Sequence, residues 1–216
     1  MNKSRTALLL CGGWDGHYPE QICALFSEAL TEAGFHCEQR TSLDALADQN
    51  LLSSFSLIFP CWTMGALTKE QAEGLEAAIR GGVGLGGIHG GMGDAFRGCT
   101  NYEWMVGGHF VGHPHVGPYT VQITSADSPI TAGMPKSFEY TSEQYYMLVD
   151  PAIRVLAEAD YTYEGTVCKM PVVWTKPFGE GRVFYNALGH HPQEFTDHPD
   201  VLAMTIRGLL WAARSN

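Results

Sequence analysis

The sequence predicts an α/β fold built on a doubly wound, mostly parallel sheet. Short apolar runs alternate with amphipathic segments of helical length through the first half of the chain, as in successive βαβ units. Glycine-rich segments that carry histidine and tryptophan follow several of these runs. The chain has 216 residues and no internal repeat or linker, so a single domain over residues 1–216 is expected.

The first half of the chain reads as four strands and two helices. Residues 6–11 form a continuous apolar run, typical of a strand buried on both faces. A helical stripe begins at Pro19 and ends at Gly34. The capping pair Thr68 and Gln71 starts the second predicted helix, which runs through Arg80. The remaining strands of this half are predicted at residues 36–40, 57–59 (closed by Pro60) and 83–88.

The second half contains further strands and one terminal helix. Strands are predicted at residues 116–124, 154–157, 171–175 and 182–187, with turn signals at residues 127–129 and 178–181. An apolar helical pattern follows Pro199 to the end of the chain.

Composition narrows the class of partner. Thirteen Lys and Arg residues against 23 Asp and Glu residues give a net charge of -10, which argues against nucleic acid and against an anionic membrane surface. The apolar start, residues 7–11, is too short for a signal peptide. The six cysteines have no CxxC pair, so we expect reduced thiols and a cytoplasmic protein.

Polar and aromatic residues cluster where the predicted parallel strands end. Ligands bind at the carboxyl ends of the strands in open α/β sheets. Four separate loops reach that edge, and each brings a histidine or a tryptophan. The residues of these loops that we single out are Trp14, His17, Trp62, His89, Asp94, Arg97 and His190.

The segment Gly87-Ile88-His89-Gly90-Gly91 has the form of a nucleophile elbow, with histidine in place of Ser or Cys. A covalent acyl intermediate at this position is therefore excluded. His89 is a candidate general acid/base or metal ligand, and a capping histidine in a tight turn is the alternative. The acidic candidates are Asp15, Asp94, Glu143 and Glu194. Glu143 is the preferred acid/base partner, and Asp94 is either a second one or a helix cap.

Histidines and aromatic residues suggest two further roles. A zinc ion held by His17, His113 and His190 is one hypothesis, and hydrogen bonding of these imidazoles to sugar or backbone is the other. Gly112 and Pro114 make a helix across His109 and His113 doubtful. Aromatic rings can stack on the C–H faces of sugars, although core packing is the alternative use. The predicted substrate-binding residues are Trp14, His17, Trp62, Arg97, Tyr102, His109, Tyr146 and His190.

The motifs resemble those of the ThuA-like (trehalose utilisation) family, in order over about residues 6–213. They are Gly12-Gly-Trp-Asp-Gly-His17, His89-Gly-Gly-Met-Gly-Asp-Ala-Phe-Arg97, residues 107–114, Ser142-Glu-Gln-Tyr-Tyr146, residues 171–176, residues 181–185 and residues 188–190. The resemblance implies a class I glutamine amidotransferase-like fold, flavodoxin-like, with helices on both faces and without the amidotransferase Cys. It also implies catabolism of trehalose and related disaccharides through 3-keto-glycosides, with a divalent metal in some members.

A mechanism follows as a hypothesis. The C2 proton beside the keto group of a 3-keto sugar is acidic, so a base can remove it and the C1 substituent can leave. Glu143 or His89 is the candidate base, His113 or His190 the candidate acid, and a metal or Arg97 the stabiliser of the enolate. A keto-sugar isomerase and a non-catalytic carbohydrate-binding protein are the alternatives. The expected partner is a small carbohydrate, and exposed apolar helix residues could support a homo-oligomer.

Overall fold

The computed structural model describes residues 5–213. The first half comprises β1 (Arg5–Gly13), α1 (Pro19–Glu32), β2 (Phe35–Arg40), α2 (Gln49–Ser53), β3 (Leu57–Thr63), α3 (Lys69–Arg80), β4 (Gly84–Ile88) and α4 (His89–Gly93). The second half comprises α5 (Thr100–Val106), β5 (Gly108–Ile123), β6 (Ser137–Val149), β7 (Arg154–Tyr163), β8 (Thr166–Phe178), β9 (Gly181–Asn186), α6 (Pro192–Asp197) and α7 (Pro199–Ala212). Short 3₁₀ turns lie at Asp15–His17 and Asp44–Ala47.

All nine described strands form one mixed sheet in the order β2-β1-β3-β4-β9-β8-β7-β5-β6. The pairings from β2 through β9 are parallel. The pairings from β9 through β6 are antiparallel. Short turns join β7 to β8 and β8 to β9, which makes each of these neighbours antiparallel. β5 lies between β7 and β6 and pairs with both. The α/β prediction is confirmed, and the expected parallel arrangement holds for the β2-to-β9 half of the sheet.

Helices cover both faces of the parallel half. Successive residues of a strand point to opposite faces. A Cβ atom on Gly86 would meet Leu209 of α7 at 2.6 Å, and one on Gly87 would meet Met92 of α4 at 2.7 Å. Glycine at both positions therefore lets two helices approach β4 closely, from opposite sides. This places α4, which begins at His89, directly against the end of the central strand.

Several element boundaries differ from those predicted. β3 continues through Pro60 to Thr63, because it pairs with β4 only at Leu57 and Ile58 and the proline breaks no hydrogen bond of that ladder. β5 begins at Gly108, eight residues earlier than predicted, and β6 was not predicted. β6 matters most for function, because it carries Glu143.

The cysteine prediction is wrong for one pair. Cys11 of β1 and Cys23 of α1 form a disulfide, whereas the other four cysteines are free thiols. The bond closes a loop that contains the 3₁₀ turn at Asp15–His17. Among the helices of residues 5–213, none is both long and apolar enough to cross a lipid bilayer.

Candidate functional site

His89 lies at the sharp turn between β4 and α4, with a positive φ of 39°. Its side chain is buried, and the hydroxyl of Tyr185 donates a hydrogen bond to its backbone carbonyl at 3.0 Å. Nδ1 lies 2.8 Å from the carbonyl oxygen of Ala187. A carbonyl only accepts hydrogen bonds, so Nδ1 carries a proton. Nε2 is left to face Oε2 of Glu143 at 3.2 Å.

His17 approaches the same carboxylate from the end of β1. Its Nδ1 is 2.7 Å from the hydroxyl of Thr63, the last residue of β3. Its Nε2 is 3.9 Å from Oε2 of Glu143. The ring packs edge-on to that of His89, with centroids 4.9 Å apart. In both histidines, one ring nitrogen is thus bound to the scaffold and the other is directed at Glu143.

Glu143 reaches these histidines from β6, at the opposite end of the sheet order from β1. Its Oε2 is 3.5 Å from Nδ1 of His190, and its Oε1 is 3.5 Å from Nε2 of His113. The ligand atoms of His17, His89, Glu143 and His190 all lie within 4.8 Å of one another. We call these four residues the histidine–glutamate cluster.

The electrostatics of the cluster favour an ionised carboxylate. Burial by itself raises the pKa of Glu143, but the neighbouring imidazoles of His17, His190 and His89 outweigh it and hold the pKa well below its usual range. Burial lowers the pKa of His89 and favours its neutral form. The interaction with Glu143 raises the pKa of His190. A neutral His89 therefore faces a negative Glu143.

The cluster has the donor set of a divalent metal site. Three imidazole nitrogens and one carboxylate oxygen are ligands that suit Zn²⁺. Within the described chain, Nδ1 of His190 is buried and has no hydrogen-bond partner. The bonds of His17 to Thr63 and of His89 to Ala187 fix the outward nitrogens, as in metal-binding histidines. Of the predicted ligands, His17 and His190 belong to the cluster, whereas His113 lies beside it.

Asp94 and Arg97 form a bidentate ion pair at the end of α4. Nε and Nη2 of Arg97 donate to the two oxygens of Asp94 at 2.6 and 2.8 Å. Asp94 is buried and the Arg97 side chain is half exposed. This pairing further raises the pKa of Arg97. Asp94 is not the cap of the following helix that was considered from the sequence, because Cys99 occupies the N-cap position of α5. Both oxygens of Asp94 bind Arg97, which favours orienting Arg97 over acid/base work.

The predicted aromatic residues separate into different environments. Trp14 is 47% exposed and packs edge-on against His17 at 4.8 Å, beside the cluster. The Trp62 ring lies against the backbone of Gly12 and Gly65. Trp62 and Thr63 are neighbours in β3, so their side chains point to opposite faces of the sheet. Trp62 therefore faces away from His17.

Three predicted substrate-binding residues lie away from the cluster. Tyr102 is 3% exposed and donates its hydroxyl to the Met92 carbonyl at 3.0 Å, so it supports α4 from inside the core. His109 is 3.7 Å from Glu103 and lines a separate cavity of about 280 Å³. Tyr146 packs on Tyr161 and faces the opposite side of β6 from Glu143. The structure does not support a role at this site for these three.

The structure brings to the cluster further residues that were not among the predicted catalytic, substrate-binding or metal-binding residues. Tyr145 stacks on His89 with ring centroids 4.0 Å apart, and Phe110 packs on Tyr145 at 4.4 Å. Tyr145 lies two residues after Glu143, a spacing that puts both on one face of a strand. Recognising a strand around Glu143 would therefore have been enough to select Tyr145 from the sequence. Thr63, which fixes His17, carried no such signal. Glu194 was one of the acidic candidates, and the structure shows that it binds the backbone of the His190 segment.

Comparisons with known proteins agree with this architecture. The family model described as ThuA, trehalose utilisation, matches residues 6–212. A ThuA-like protein from Bacteroides uniformis superposes with a TM-score of 0.78 at 18% identity, covering 98% of this chain and 93% of its own. One from Parabacteroides merdae gives 0.77 at 17% identity, with 97% and 90% coverage. A β-galactosidase from Bacillus circulans gives 0.60 at 14% identity, with 98% of this chain but 30% of the enzyme covered. No curated protein sequence matches the chain.

Proposed function

The chain belongs to the ThuA (trehalose utilisation) family, and we propose that it is an enzyme that cleaves a 3-keto-glycoside by acid–base chemistry. In this proposal the histidine–glutamate cluster holds a divalent metal ion such as Zn²⁺. The family supports a carbohydrate-related role, and the geometry of the cluster supports the chemistry assigned to it.

One observation carries the metal assignment: Nε2 of His89 faces Oε2 of Glu143 at 3.2 Å. Because Nδ1 of a neutral His89 donates its proton to Ala187, Nε2 presents an electron pair to the carboxylate. Two acceptors at this distance repel each other unless a cation or a proton lies between them. His17 and His190 direct two more nitrogens at the same oxygen. All four ligand atoms can coordinate one divalent ion, whereas one proton can be shared by only a single nitrogen–oxygen pair.

A bound divalent ion supplies Lewis-acid stabilisation of negative charge on a sugar oxygen. The protein's own residues then have separable tasks. His17, His89, His190 and Glu143 hold the ion, which leaves His113 as the imidazole free to transfer protons. The His113 side chain is 39% exposed and its Nε2 contacts Oε1 of Glu143 at 3.5 Å. It can therefore reach both a bound sugar and the charged centre.

The proposed cleavage is an elimination. His113 accepts the C2 proton at Nε2, the C2–H electron pair forms the C1–C2 double bond, and the glycosidic C1–O bond breaks. The departing oxygen takes up a proton, for which the protonated His113 is a source, so charge and atoms balance. The products are an unsaturated keto sugar and the released alcohol.

Residues around the histidine–glutamate cluster provide substrate binding in this proposal. Arg97, oriented by Asp94, has an N–H group beyond those used in the ion pair. Its guanidinium lies 5.8 Å from the centre of the Phe110 ring, and Phe110 packs on Tyr145. Trp14 offers an exposed ring next to His17. A guanidinium and aromatic rings suit the hydroxyls and the C–H face of a sugar.

Turnover of 3-keto-trehalose, followed by NMR, tests this function. Purified protein should release glucose, lose activity after chelation and regain it with Zn²⁺. His113→Ala and Glu143→Gln should each abolish turnover, whereas His36→Ala, an exposed residue of β2 at the far end of the sheet, should not. Full turnover in either site variant would refute the assignment. Rearrangement without cleavage would indicate an isomerase, and saturable line broadening without turnover a binding protein.

A further inference from the structure

Glu194, in the first turn of α6, accepts four hydrogen bonds. Its Oε2 accepts from the Tyr140 hydroxyl at 2.7 Å and from the His190 backbone N–H at 3.2 Å. Its Oε1 accepts from the Ser142 hydroxyl at 3.0 Å and from the His191 backbone N–H at 3.3 Å. Each oxygen thus takes one hydroxyl from β6 and one amide from the segment that precedes α6.

These bonds connect two parts of the chain that each contribute a residue to the cluster. Glu143 follows Ser142 directly in β6, and His190 is itself one of the amide donors. A helix cap explains only the bond to His191, the N-cap residue of α6. The other three bonds are not needed to begin a helix. They fix the separation between β6 and the His190 segment.

We propose that Glu194 is a positioning residue that holds His190 against Glu143. The inference rests on the proposed function, since it assigns to Glu194 the task of holding two residues of the same cluster in place. Glu194 contacts none of the ligand atoms in this assignment. It acts through the backbone of His190 and through Ser142 beside Glu143.

Glu194→Gln is the sharpest test, because glutamine keeps the shape of the side chain and removes half of its acceptors. The hydroxyls of Tyr140 and Ser142 can rotate and accept a hydrogen bond from the glutamine NH₂ group, but the two backbone N–H groups can only donate. Whichever way the amide is turned, its NH₂ group faces the N–H of either His190 or His191. One of the two backbone bonds is therefore lost in either orientation.

Two measurements on the whole chain decide the matter. The first is the affinity for Co²⁺, read from its visible absorption bands, where loss of an outer-shell partner should weaken binding by about 10–100-fold. The second is a crystal structure of the metal-free variant, in which the distance between His190 Nδ1 and Glu143 Oε2 should exceed the present 3.5 Å. Asp197→Asn is the matched control, because Asp197 lies on the same helix and accepts an exposed bond from Gln193. It should change neither quantity.

The two proposals fail in different ways. Glu194→Gln with unchanged Co²⁺ affinity and an unchanged distance would overturn the positioning role, even if the melting temperature fell, because Glu194 would then be only a helix cap. If the wild-type protein bound no Co²⁺, the metal assignment would fall. The metal-free crystal structures would still decide the role of Glu194.

Discussion

Substituting alanine for Gly90 should displace His17 without removing any ligand. A Cβ atom at Gly90 would lie 2.8 Å from the hydroxyl of Tyr145 and closer still to the ring of His17. Normal contacts between such atoms are about 3.5 Å, so the ring must withdraw by roughly 1 Å. A misplacement of that size costs up to about 100-fold in turnover. The overpacking should also cost about 1–3 kcal/mol of stability.

The assay compares Co²⁺ affinity, turnover and thermal unfolding in Gly90→Ala with those of Gly81→Ala. Gly81 ends α3 far from the site with a φ of -79°, and a Cβ there would meet the Ala77 carbonyl at 3.2 Å, a much smaller overlap than at Gly90. The control should keep wild-type affinity and turnover. If Gly90→Ala kept both as well, close packing of α4 against His17 would not be what sets the geometry of the cluster.

Zn²⁺ affinity should fall as the pH is lowered, because Glu143 raises the pKa of His190 and the ion must displace that proton. Calorimetry in two buffers of different ionisation enthalpy should detect proton release on Zn²⁺ binding that grows as the pH is lowered, and its absence would contradict the ligand role. Asp94→Asn should raise the KM for the keto sugar roughly tenfold, the value of one hydrogen bond to a charged group, while Co²⁺ affinity stays unchanged. An unchanged KM would mean that Arg97 does not bind substrate. Reducing the disulfide between Cys11 and Cys23, 12 residues apart, should lower the free energy of unfolding by about 3 kcal/mol. Calorimetry with and without a phosphine reductant measures this, and identical melting temperatures would refute the expectation.

The parallel half of the fold was predictable because its signals are local. The apolar run of β1 and the capping pair of α3 each specify an element without reference to distant residues. β3 was cut short because a proline ordinarily ends a strand, and only the sheet order reveals that Pro60 interrupts no pairing with β4. β6 was missed because its polar stretch around Glu143 lacks the apolar run of a buried strand.

Of the residues that the sequence singled out, the structure brings some together and places others apart. Glu143 and His89 were recognised by chemical type and position. His109 and His113, in contrast, could not be sorted by counting residues, because β5 shifts register twice between Phe110 and His115. A bulge changes which face each following side chain occupies. Tyr146 was selected in place of its neighbour Tyr145 because β6 was not recognised as a strand, so the alternation of its two faces was not used.

The composition of the cluster explains why the antiparallel half of the sheet is needed. His17 and His89 come from the ends of β1 and β4, where a parallel α/β sheet alone would place a site. Glu143 comes from the edge strand β6 and is the only acidic member. Without it, three imidazoles would converge on a centre with no compensating negative charge. The β5–β6 hairpin therefore completes the site electrostatically, and Glu194, which ties β6 to His190, lies where that completion depends on a few hydrogen bonds.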